Sequence, residues 1–240
     1  VIQYETTVMD TLVDIFNEHH IHEGLFAIEG KQMPVDTYES LCDTLDENFD
    51  FTSVNFAKLR AVKREDELEL LRIAANIGDE SFAALLPQLK VGMTENEVRI
   101  ILETEMLKRG SEEPSFATII ASGSRSSMPH GVASDKVIEA GDFVTIDFGS
   151  VYKGYHSDMT RTIVMGPASD LQKKLYSIVL EAQKRGVAAV RAGITGKELD
   201  AVCRDYIKEH GYTKEFNHGT GHGLGLEIHE EPVANTKSDT

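Results

Sequence analysis

Apolar residues recur at helical spacing from Val8 through Leu12, Ile15 and Phe16, and Gly24 then opens the short apolar run Leu25 to Ile28. That order predicts a helix followed by a strand. A second helix is expected from about Asp36, with Tyr38, Leu41, Cys42 and Leu45 on one face, and Phe51 to Val54 is expected to return as a strand. Two helices and two strands form a small α/β unit with little core of its own. Residues 1–57 are therefore read as part of an N-terminal α/β domain whose front is missing, and 58–240 as a second, larger domain.

The larger part carries an internal repeat. VGMTENEVRIILETEMLKRG, residues 91–110, aligns without gaps to AGITGKELDAVCRDYIKEHG, residues 192–211, at an offset of 101. In each copy Thr-x-x-Glu (Thr94 and Glu97, Thr195 and Glu198) is a capping box, and the closing Gly110 or Gly211 suits the left-handed position after a helix. Each copy follows a long helical stretch, at roughly 64–89 and 170–191. Equal spacing and equal preceding helices point to duplication, hence to pseudo-twofold halves with a site in the cleft between them.

Residues 141–166, GDFVTIDFGSVYKGYHSDMTRTIVMG, alternate as strands on both sides of Lys153-Gly154 and predict a β-hairpin. Numbers of facing residues in an antiparallel hairpin add to a constant, and a loop of two or four residues between Ser150 and His156 makes that constant odd. Asp147 and Asp158 then share a face, unless a bulge intervenes. Paired carboxylates repel unless a proton or cation lies between them, so the pair suits hard divalent metal ions. The plainer alternative is that Asp147 ends a strand and Asp158 caps a turn. A second cluster, NHGTGHGLGLEIHEEP at 217–232, crowds three histidines among alternating glycines and fits neither the dinucleotide fingerprint nor a Walker loop. His218 and His222 are expected on one side of a strand, where imidazole could join a carboxylate site. A third element, Met128-Pro129-His130-Gly131, places His130 on a serine-rich loop.

Composition narrows the partners. Forty acidic against 24 basic residues give a formal charge of -16, which repels nucleic-acid phosphate and anionic lipid. No stretch reaches the roughly 18 apolar residues of a membrane helix. Cys42 and Cys203 are too few and too far apart for a disulfide framework, which makes a reducing cytoplasm the expected setting.

From about Arg60 to the end, Pro129-His130-Gly131, Ile146-Asp147-Phe148-Gly149, Ser157 to Thr162 and the series His218, His222, His229 together resemble the Xaa-Pro peptidases, the aminopeptidase P and prolidase family of pita-bread-fold metallopeptidases. The resemblance implies an α+β pita-bread fold with duplicated halves. It implies Asp147, Asp158 and His222 as ligands of two divalent metal ions, manganese first, with cobalt or zinc as options. It makes His130 and His229 the catalytic histidines that bind substrate and tetrahedral intermediate, and His218 a substrate-binding residue of the cleft. The implied substrate is a peptide with proline second, and the implied assembly a homodimer. The family's two glutamate ligands lie on a second hairpin, and the offset of 101 carries Asp147 and Asp158 to positions 248 and 259, past Thr240. Glu227, Glu230 and Glu231 come too early to replace them, so the dinuclear site is expected to be incomplete in this stretch alone. The alternatives are a non-catalytic pita-bread module that binds peptides, and a creatinase-like hydrolase.

Overall fold

The computed structural model describes residues 7–45 and 47–239. It divides into two compact units, Val1–Leu59 and Arg60–Thr240.

In the first unit, helices α1 (Val8–Glu18) and α2 (Val35–Thr44) accompany the parallel strands β1 (Gly24–Ile28) and β2 (Phe49–Ser53). Thr7 and Asp10 close a reciprocal capping box at the start of α1. Phe16 stacks on Phe26 at 5.1 Å, and Phe49, Phe51 and Tyr38 extend the aromatic cluster. Leu45, 8% exposed, is the one buried hydrophobe among the unit's described residues. Stacked rings rather than a deep aliphatic core hold this unit together.

Helix α3 (Ala57–Ala61) leads into the second unit, whose first half packs α4 (Glu65–Leu85) and α5 (Glu95–Lys108) on one face of an antiparallel sheet. The sheet order is β3 (Ile119–Ser122), β4 (Phe143–Phe148), β7 (Met159–Val164). Period-two burial sorts β4 into two faces: Val144, Ile146 and Phe148 are buried with Ile77, Leu85, Val98, Leu102 and Met106, while Phe143, Thr145 and Asp147 point away. A short hairpin of β5 (Val151–Tyr152) and β6 (Tyr155–His156) continues β4 and β7, turning through Lys153 and Gly154, both at positive φ. Such a turn matches the twist of paired strands.

The second half consists of α6 (Asp170–Ala189), α7 (Gly196–Glu209) and the small antiparallel pair β8 (Gly221–Gly223) and β9 (Glu230–Ala234). Ala182 and Gly186 on α6 let α7 approach until Cys203 Sγ reaches the Ala182 carbonyl at 3.3 Å. Both expected capping boxes form, Glu97 N to Thr94 Oγ1 and Glu198 N to Thr195 Oγ1 each at 3.1 Å. Gly110 and Gly211 follow their helices at φ 97° and 90°. No helix among the described residues is long and apolar enough to cross a membrane.

Candidate metal centre

The hairpin register decides where the two aspartates point. Asp147 faces Thr160 and Val151 faces His156, so one odd register runs through both segments. Between them the ladder is interrupted but does not slip. Gly149 makes that possible, because a Cβ there would lie 1.8 Å from the Ser157 carbonyl oxygen. Ser150 N donates to Ser157 Oγ at 2.9 Å and Ser157 N to Ser150 O at 2.9 Å, which closes the gap. Asp158 consequently lies on the parity of Thr160 and Asp147, on the face turned away from the hydrophobic core.

Burial pushes the Asp147 carboxyl above the ordinary range; the bond from Thr160 Oγ1 at 2.5 Å opposes this, the Asp158 charge adds to it, and His222 and His130 draw it back. Asp158 is likewise raised by burial and drawn down by His222 and His229. His222 Nε2 lies 3.4 Å from Asp158 Oδ2, and the His222 and His229 rings are 4.3 Å apart. On the same sheet face a cavity of about 560 Å³ opens, lined by Thr145, Thr160 and Thr162 and by Leu175, Tyr176 and Val179 of α6; neither aspartate lines it.

His222 Nδ1 contacts the Gly223 carbonyl at 2.9 Å. A carbonyl only accepts, so Nδ1 carries the proton, and in the neutral ring the Nε2 lone pair then faces a carboxylate. A proton on Nε2 or a bound cation resolves that opposition, and a backbone carbonyl on the other nitrogen is the usual way of orienting an imidazole ligand. The donor types therefore fit a divalent ion. Among the described residues, however, no three His, Cys, Asp or Glu side chains converge closely enough to hold one by themselves.

His218 departs from expectation. β8 spans only Gly221–Gly223, so His218 lies before the strand rather than on the same side of it as His222. The cause is Thr220, whose amide and hydroxyl donate to Asp200 Oδ1 at 3.0 and 2.9 Å instead of extending the ladder. The His218 ring meets Phe216 edge-on at 4.9 Å.

Two contributors escaped the sequence reading. Thr160 could have been found from the odd register, which sets it opposite Asp147. Glu230, with a side chain 1% exposed, accepts from Lys63 Nζ at 2.7 Å and from the Glu227 amide at 3.2 Å, and so braces the turn that carries His229. Nothing local to Lys63 signals a partner that far along the chain.

Two partly exposed carboxylates on the outer face of an antiparallel sheet, with His222 beside Asp158 and His229 beside His222, provide the donor chemistry of a metal-dependent hydrolase. The chain belongs to metallopeptidase family M24, whose model matches residues 69–240. The Xaa-Pro dipeptidase of Pyrococcus furiosus is 50% identical over 182 residues, which are 76% of this chain and 52% of that protein. The uncharacterized peptidase YqhT of Bacillus subtilis is 42% identical over 239 residues, 99% of this chain and 67% of its own length. Among solved structures, the Xaa-Pro dipeptidase from Bacillus anthracis superposes with a TM-score of 0.93 at 46% identity over all of this chain and 67% of its own. The prolidase from Pyrococcus furiosus gives 0.89 at 40% identity, again over the whole chain and 69% of its own. The α+β fold is thus the pita-bread fold of the prolidases, and family membership implies divalent metal ions. The chain spans about half the length of the curated Xaa-Pro dipeptidases it matches.

Proposed function

We propose that the protein carrying this chain hydrolyses the bond between the first residue and proline in Xaa-Pro peptides, using two divalent ions, manganese foremost. The observation that carries the reading is that Asp147 and Asp158 share the sheet's outer face while His222 Nε2 lies 3.4 Å from Asp158 Oδ2. The names of the relatives, Xaa-Pro dipeptidase and prolidase, support the choice of substrate.

In this reading Asp147, Asp158 and His222 hold metal, which when bound supplies a water of lowered pKa. Asp147 and Asp158 are poised for the task because both are partly withdrawn from water and lack a lysine or arginine partner among the groups that shift them. Thr160 fixes one Asp147 oxygen and so fixes the direction of the other. In this reading His229, beside the His222 ring, and His130, on the loop after β3, donate to the substrate carbonyl as negative charge develops on it. His218 lines the approach. The reading extends to a reducing cytoplasm, supported by two free thiols, Cys42 and Cys203, and to a homodimer, supported by resemblance alone.

A second reading, a module that binds peptides without cleaving them, draws on the lack of three convergent donors among the described residues. One assay separates the two. Full-length protein with manganese should release proline from Ala-Pro far faster than alanine from Ala-Ala, and Asp147→Ala or Asp158→Ala should abolish release. Equal turnover of the two dipeptides would overturn the substrate assignment, and stoichiometric metal binding without turnover would favour the binding module.

A further inference from the structure

We propose that Glu95 and Asp200 are positioning residues, each fixing one histidine-bearing segment of the site: Glu95 the loop of His130, Asp200 the segment from Phe216 to His222. This rests on the reading of those histidines given above.

Glu95 and Asp200 belong to the paired helices of the internal repeat, α5 and α7, and are 0% and 1% exposed. Glu95 Oε1 accepts from Ser122 N and Oγ at 2.8 and 2.9 Å. Its Oε2 accepts from Ser134 N and Oγ at 3.1 and 2.6 Å and from Arg125 Nε at 3.1 Å. Ser122 and Ser134 flank the His130 loop, so one carboxylate clamps both of its ends. Arg125 adds a cross-tie, with Nη2 on the Val132 carbonyl at 2.8 Å.

Asp200 does the same by a different route. Its Oδ1 takes the amide and hydroxyl of Thr220, and Arg204 grips both oxygens through Nε at 2.7 Å and Nη2 at 3.0 Å. Arg204 then reaches on to the Phe216 carbonyl at 2.6 Å and the His218 carbonyl at 2.5 Å. The segment that enters β8 just before His222 is therefore held at three points.

Neither segment has much regular structure to hold it: a 3₁₀ turn in one and a three-residue strand in the other. A carboxylate with donors on both oxygens is a rigid anchor, whereas an amide in its place would turn an NH2 group toward donors that then lack a partner. Preorganised histidines need such a supporting layer.

The test uses full-length protein carrying Glu95→Gln or Asp200→Asn, with Ser134→Ala and Thr220→Ala as milder variants that each remove one donor. Histidine ring resonances are recorded by nitrogen-15 NMR on metal-free protein, manganese affinity by calorimetry, and kcat and KM on Ala-Pro. The expected pattern is crossed. Glu95→Gln moves the His130 ring signals, leaves those of His222, and lowers kcat/KM roughly 10–100-fold with manganese affinity unchanged. Asp200→Asn moves the His218 and His222 signals, leaves His130, and weakens manganese binding roughly 10–100-fold. Either variant moving both sets of signals, or neither, overturns the proposal, because a general loss of structure has no such selectivity. If a charge-removing variant fails to fold, its milder counterpart decides by the same crossed pattern at smaller amplitude. If the unsubstituted protein neither binds manganese nor cleaves Ala-Pro, the functional reading fails, and the ring signals still decide whether Glu95 and Asp200 position the histidines.

Discussion

The outer face of the β4–β7 hairpin and the early turns of α5 and α7 both withdraw carboxylates from water, the hairpin partly and the helices almost wholly, but the two regions treat them in opposite ways. On the helices, Glu95 receives five donors and Asp200 four. Burial pushes the Asp200 carboxyl up, yet Arg204 and Thr220 outweigh it and leave the group below its ordinary value. On the hairpin, burial dominates, and both Asp147 and Asp158 end above theirs. Their hydrogen-bonding capacity is left largely open: Thr160 serves Asp147, and Asp158 has His222 at 3.4 Å. The fold surrounds the acids it uses as struts with donors and leaves the hairpin acids with fewer. Desolvation without a matching partner marks a candidate for a working site.

The sharpest way to break this comparison is to remove a strut. Asp200→Ala leaves the Arg204 guanidinium without its counter-charge and should cost about 3–5 kcal/mol. The low end is expected, since the Arg204 side chain is 24% exposed and keeps two carbonyls. Urea unfolding measures this, and a loss no larger than that of an exposed pair, below about 1 kcal/mol, would place Asp200 with ordinary surface charges. Next in size is Lys63→Met, which takes the 2.7 Å donor from Glu230 but leaves Arg60 Nε at 3.3 Å. A cost of about 1–3 kcal/mol is expected. Because Glu230 follows His229 directly, turnover should fall as well; unchanged kcat would separate Glu230 from the site.

The two regions also differ in how far the sequence reveals them. The outward acids are legible because a hairpin obeys an arithmetic: alternation, a two-residue turn and the parity of facing positions set Asp147 and Asp158 on one face. Capping boxes at Thr94 and Thr195 are legible for the same reason, every participant lying within one helical turn. The struts are not. Glu95 reads as one more acidic residue in the first turn of α5, and its partners Ser122, Arg125 and Ser134 come close only after the β3 loop folds back. His218 was misplaced through the same blindness: its strand stops short because Thr220 is claimed by Asp200, on another element. Local periodicity carries no information about a side chain that competes for a backbone amide.

Between strut and site stand carboxylates that are satisfied but exposed, such as Glu198, held low by the Thr195 amide and hydroxyl. Thr195→Ala should cost about 1 kcal/mol, and Thr94→Ala in the other copy should match it. Unequal losses in thermal unfolding would mean that the repeat's two caps differ in what surrounds them.

The smallest expected effect has the opposite sign and separates the two regions most cleanly. The folded pKa of Asp147 is raised, so its contribution to stability is fully present below the unfolded value of about 3.9 and is lost as pH climbs through the folded value. Asp200 is lowered, so its contribution is present above the unfolded value and is lost as pH falls through the folded one. Asp147→Asn keeps an acceptor for Thr160 and removes the charge. In chelator, the variant should therefore unfold at a higher temperature than the unsubstituted protein at neutral pH, the advantage vanishing below about pH 4. Manganese should reverse the order, because an ion bound only by the native state stabilises the protein that binds it more tightly. Thermal unfolding across pH, with and without the metal, tests both statements. If metal-free Asp147→Asn were the less stable protein at neutral pH, Asp147 would be a strut like Asp200, and the distinction between the two regions would collapse.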